Sequence, residues 1–156
     1  MVTFTVGAGD GFRELRQTRI MYFLEGAAQT FKVGAVVVLT AGKAVKGATA
    51  AVAAILGIAA EAASGITDRK LGVLVADENS EFQGRVQDTG VLALALVGAQ
   101  FGLILDSVGG KDIFRVNIAD TTNKAVIITE LIDAVGDVNG RVAFKFINSV
   151  RTPQAS

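Results

Sequence analysis

The sequence predicts a mainly β fold, a small β-barrel or β-sandwich of short strands entered through an extended N-terminal arm. Three observations carry this. Apolar, β-branched runs are short, and turn residues recur at intervals of roughly 8–12 residues, the spacing of a sandwich or barrel and not of alternating β-α units. The run Arg141-Val142-Ala143-Phe144-Lys145-Phe146 alternates, with Val142, Phe144 and Phe146 on one face.

In chain order, the first clear run is Phe31 to Thr40, closed by a turn at Ala41-Gly42-Lys43. Ala48 to Ala63 is ambiguous. Val52, Ile55, Leu56 and Ala59 fall at helical spacing in an Ala-rich stretch, whereas Gly57 interrupts it. The reading taken is a strand from Ala54 to Glu61, with one short helix over 48–63 as the alternative. Leu71 to Ala76 and Phe82 to Gln87 flank the polar cluster Asp77 to Glu81 and read as a hairpin. Phe101 to Leu105 and Ile113 to Ala119 flank a Ser107-to-Lys111 turn. Ala125 to Ile132 follows the Asp120-to-Asn123 turn, and Gly136 with Asn139-Gly140 marks the turn before the last strand.

The domain reading is an extended arm over 1–30 leading into the first strand, a β-rich core over 31–147 that could form two small lobes dividing near 88–98, and a C-terminal tail over 148–156 frayed around Pro153. The arm is inferred from Gly7, Gly9, Gly11 and Gly26, the cations Arg13, Arg16 and Arg19, and the apolar patch Ile20 to Leu24 at its end.

Composition narrows the function. Among 156 residues there is no His, Cys or Trp, so the side chains that usually supply acid-base, thiolate or metal chemistry near neutral pH are missing. Fifteen basic residues balance fifteen acidic ones, leaving no global field to draw the chain to nucleic acid or an anionic membrane. The uncharged stretches Gly47 to Ala60 and Thr89 to Leu105 are broken by glycines, so neither reads as a membrane span. Met1 to Asp10 lacks a basic segment followed by an apolar core, and the expectation is a chain made in the cytoplasm.

Three site patterns fail in detail. Gly7-Ala8-Gly9-Asp10-Gly11 after Val2-Thr3-Phe4-Thr5-Val6 invites a phosphate loop, but neither the third glycine of a dinucleotide fingerprint nor a Gly-Lys-Ser/Thr is present. Asp77, Asn79 and Glu81 alternate like calcium ligands, yet Phe82 stands where the loop needs Gly. Glu81 and Asp88 as a glycosidase dyad rest on nothing but two carboxylates among fifteen. No catalytic, cofactor-binding or metal-binding residue is assigned. Phe4, Phe12, Arg13, Arg16, Arg19, Tyr22 and Phe23 are the candidate interface residues, because aromatic anchors and guanidinium forks suit protein surfaces, with a plain solvated segment as the equal alternative.

The order Phe31-to-Leu39, Ile55-to-Ala59 with a Gly65 turn, and Gly72-to-Ala76 resembles the small β-rich decoration, or cement, proteins of tailed-phage capsids. Val97-to-Leu103 and Gly140-to-Phe146 are similar to their second half, so the likeness runs from about Phe31 to Ile147. It implies a virion protein on the outer surface of an assembled shell, commonly a trimer bridging major capsid subunits, without cofactor or turnover. A homo-oligomer also follows from composition, since 51% hydrophobic against 19% charged residues exceeds what one small β domain hides, and the resemblance makes a homotrimer the expected form. Two rival readings are another virion β-module, such as a tail-tube or head-completion protein, and a small-ligand β-barrel or carboxylate-dependent hydrolase.

Overall fold

The computed structural model describes residues 11–49, 53–108 and 111–151. Among them the strands run β1 (Arg13–Arg16), β2 (Ile20–Leu24), β3 (Val36–Thr40), β4 (Lys43–Lys46), β5 (Ile55–Ala59), β6 (Lys70–Val75), β7 (Glu81–Arg85), β8 (Gln100–Val108), β9 (Lys111–Asn117), β10 (Val126–Leu131) and β11 (Arg141–Phe146). A single 3-10 turn, Leu94–Leu96, is the helical content of the described residues. The fold is mainly β, in two antiparallel sheets. One has the order β1-β7-β11-β10-β8-β9 and the other β2-β6-β5-β3-β4.

Both sheets curl until distant strands touch at one point each, leaving β1 and β2 as outer edges along their length. In the five-stranded sheet, β2 and β4 meet at the parallel bridge Glu25↔Ala44, where the Gly26 N–H donates to the Ala44 carbonyl at 2.9 Å. In the six-stranded sheet, β9 meets the chain just beyond β7 at Val86↔Val116, and the Gln87 N–H donates to the Val116 carbonyl at 3.0 Å.

The stretch with two readings is a strand: β5 lies between β3 and β6 with every residue buried. Gly57 explains why. Its φ is +154°, and a Cβ there would stand 1.9 Å from the Leu74 carbonyl oxygen. The β6 backbone passes where any side chain would be, so only glycine lets the two strands close.

The sheets are joined by a double crossing. β1 runs opposite β7 and β2 opposite β6, so the run from Arg13 to Leu24 leaves one sheet and enters the other, bending at Gln17 with φ 52°. The opposing chain bends at Asp77–Ser80, where the Asp77 carboxylate accepts the N–H groups of Asn79 and Ser80, both at 2.9 Å. The expected turn is present, but β6 and β7 are not the expected hairpin. They diverge into different sheets because each pairs with its own half of the β1–β2 run.

A single apolar cluster draws on both sheets, including Val36, Ile55 and Leu71 from one and Phe82, Val116 and Phe144 from the other. Phe12 is keyed into it. Its ring lies on Gly84, where a Cβ would be 2.2 Å away, and its carbonyl lies on Gly34 (φ +91°), where a Cβ would be 2.6 Å away. The Phe12 ring centroid is 4.7 Å from that of Phe144, tilted by 60°, a favourable aromatic geometry. Phe144 and Phe146 continue the stack edge-on at 5.6 Å.

Within the expected arm, Phe12 is buried in the core, β1 pairs with β7, and Ile20–Leu24, expected as the strand the arm leads into, is β2. Residues 1–10 lie outside the described residues, as does the end of the tail from residue 152. The tail's beginning is docked, with Val150 buried and its carbonyl accepting the Ile55 N–H at 2.8 Å. The chain passes from one sheet to the other at 76–80, not near 88–98.

Candidate interaction surface

Apart from Ile66, exposed singly in the loop before β6, the exposed large apolar side chains of the described residues gather in two places. The first is β2. This strand pairs through β6 alone along its length, so Ile20, Met21, Tyr22 and Leu24 are exposed while Phe23 is half-buried against the core. Tyr22 is 66% exposed. It stands opposite Gly72, and a Cβ on Gly72 would lie 3.4 Å from its ring and 3.6 Å from Ile20, so the two side chains lie over bare backbone.

The second place is a pair of loops clasped by main-chain bonds. Leu92 N–H donates to the Asp137 carbonyl at 2.9 Å, Gly136 N–H to the Leu92 carbonyl at 2.8 Å and Asn139 N–H to the Gly90 carbonyl at 2.8 Å. Leu92 is the peg: it is buried, and Gly140 makes room for it, since a Cβ there would be 2.5 Å from its methyl. Around the peg Val91, Leu94, Val97, Val135 and Val138 point to solvent, Leu94 74% exposed.

The sequence-derived interface residues separate. Phe4 lies outside the described residues. Phe12 is 1% exposed and belongs to the core, so it cannot touch a partner. Arg13 is exposed on β1. The Arg16 guanidinium contacts Glu81 at 2.8 Å and Glu130 at 2.7 Å, and Arg19 contacts Asp77 at 3.4 Å. Both arginines are half exposed, so these pairs orient side chains more than they stabilise the fold. They line the crossing between the sheets, beside β2. Tyr22 and Phe23 share β2, with Tyr22 outward. The second surface was missed, although the uncharged run Thr89 to Leu105 was its trace.

Buried charge serves closure. Glu25 sits at the seam of β2 and β4, 1% exposed. Its carboxylate accepts the Ser64 N–H at 3.0 Å, the Ser64 hydroxyl at 2.9 Å and the Gly65 N–H at 2.8 Å, fixing the loop before β6. Burial alone would raise its pKa. The Ser64 and Gly65 donors, with the charge of Arg69, more than offset this and hold the carboxyl below its ordinary value. Arg115, 4% exposed, contacts Asp88 and, at 3.2 Å, Asp106, tying the loop after β7 to the β8–β9 hairpin.

The carboxylates considered for metal or hydrolytic chemistry are committed elsewhere. Asp77 holds its own turn, while Glu81 contacts Arg16 and the Thr129 hydroxyl. Asp88 lies beyond the far end of β7 on Arg115, roughly 20 Å from Glu81 at a strand's rise per residue. Among the described residues no group of three or more acidic side chains converges on a metal position, and no helix is long and apolar enough to cross a membrane.

Comparison of this chain with protein-family models, with curated proteins and with solved structures returns no match.

Proposed function

We propose that the chain is a virion structural protein that binds the outer surface of an assembled phage capsid and stabilises it by bridging major capsid subunits. The observation that carries this reading is the pair of exposed apolar surfaces, β2 and the 91–97/135–138 loops, on a closed β framework. Apolar side chains gathered at two places and set on well-anchored backbone suit a surface that another protein covers. The resemblance of the sequence to decoration proteins supplies the partner, a major capsid protein.

Binding to a lattice explains how such a module acts without turnover. A ligand that binds the assembled, expanded shell and not its open form stabilises the shell by mass action. If three linked copies engage at once, avidity rises by about 10²–10⁴ over a single contact. The test is co-sedimentation of the purified protein with capsids before and after expansion. Saturable binding to expanded shells, with raised resistance of those shells to heat, is the expected result. Failure to bind either form overturns the proposal.

A further inference from the structure

The outer edge of β2 has unused main-chain bonding capacity as well as apolar side chains. Val75 N–H donates to the Arg19 carbonyl at 2.9 Å and Glu25 N–H donates to the Arg69 carbonyl at 2.8 Å. In an antiparallel ladder, bonded and non-bonded positions alternate. Residues 19, 21, 23 and 25 therefore face β6, and the N–H and C=O groups of Ile20 and Tyr22 point away from it. β4 meets this strand at its end, at the Glu25↔Ala44 bridge, where the Gly26 N–H donates to the Ala44 carbonyl. The neighbouring outer edge, β1, is protected by Arg13, Glu14 and Arg16, but β2 reads Ile-Met-Tyr-Phe-Leu with no charge. An apolar edge without charges is a template for one more strand.

The chain supplies a segment of matching chemistry. Val2-Thr3-Phe4-Thr5-Val6 is uncharged, five residues long like β2, and alternates β-branched or aromatic residues with threonines. It is separated from Gly11, the first described residue, by Gly7-Ala8-Gly9-Asp10. A turn over those four residues would lay the segment against its own β1, because the chain leaves Gly11 at the end of the β1–β2 run remote from β2. Its own β1 is the charged edge. A neighbouring molecule meets no such restriction.

We propose that residues Val2–Val6 of one copy add as a strand to the free edge of β2 in a second copy, joining subunits through the main-chain groups of Ile20 and Tyr22. The contact is head-to-tail, so it forms a ring where the rotation between copies closes. A ring of three would be the trimer that the resemblance implies. This self-association does not depend on shell binding, and each can fail without the other.

The test uses the full chain and two variants, measured by light scattering over a dilution series and by amide hydrogen exchange. Tyr22→Pro removes an outward N–H without breaking a bond to β6. The pair Phe4→Pro with Thr5→Pro removes strand bonding in the segment in either phase. The wild type is expected to be oligomeric, with Ile20 and Tyr22 amides protected at high concentration and exchanging at least tenfold faster on dilution. Both variants are expected to associate at least tenfold more weakly. Should Tyr22→Pro fail to fold, the tail variant with Ile20 and Tyr22 exchange decides alone. A monomeric wild type, protection independent of concentration, or an oligomer that survives either folded variant overturns the proposal.

Discussion

β2 and β11 are both short antiparallel strands, and β2 is the more apolar of the two, yet they end in opposite environments. β11 lies between β7 and β10 and buries Val142, Ala143, Phe144 and Phe146. β2 has one neighbour along its length and exposes four of its five side chains to solvent. The difference is visible in their pattern. Arg141 and Lys145 in β11 mark a solvated face behind a buried one, whereas β2 carries no charge to mark either face. Alternation reports a strand whose folding problem is solved within the chain. An uncharged apolar edge carries no such mark, and under the proposed function another chain covers it.

The sharpest way to break the comparison is truncation. Deleting residues 1–19 removes Phe12 and β1, so the expected outcome is loss of the cooperative thermal transition. Deleting only residues 1–10 leaves both sheets and should preserve it. A folded product from the longer deletion would mean that the arm reading is right after all. Next in size, Phe144→Ala and Phe12→Ala should each cost about 3–5 kcal/mol in chemical denaturation, while Lys145→Ala changes little. Equal, small effects at all three would show that the core assignment is wrong.

A smaller effect is expected at Glu25. Because its carboxyl is held below its ordinary value, it stabilises the fold fully above about pH 4.5, and that contribution fades as pH falls through the lowered folded value. Glu25→Gln should cost about 1–3 kcal/mol at pH 7 and flatten the stability profile below pH 4.5. The acid-side slope left in the variant belongs to Asp77, Asp120 and Asp133, which are also held low by hydrogen bonds that outweigh any burial. Parallel wild-type and variant profiles from pH 7 to 3 would exclude the role given to Glu25.

The comparison also explains what was legible in the sequence. The mainly β class, β5, the β8–β9 hairpin and the face of β11 follow from local signals: glycine, turn residues and alternation over a few positions. The core role of Phe12 does not, because it depends on the rooms left by Gly34 and Gly84, distant in sequence and adjacent only after folding. β4 was hidden by its brevity, with Ala44 alone fully buried in Lys-Ala-Val-Lys. The second apolar surface was hidden differently. Leu94 and its neighbours look like core by composition, and only the clasp between two loops around Leu92 turns them outward. Tyr22 stands out in the sequence as an aromatic in an uncharged run, and the structure places it outward.

The central claim is that stability and shell binding reside in different residues of one β framework. Its most direct measurement is co-sedimentation of the Tyr22→Lys, Leu94→Lys protein with expanded capsids, paired with its melting temperature. The account expects a melting temperature close to that of the wild type and binding reduced at least tenfold. Undiminished binding by a protein that melts as the wild type does would contradict it.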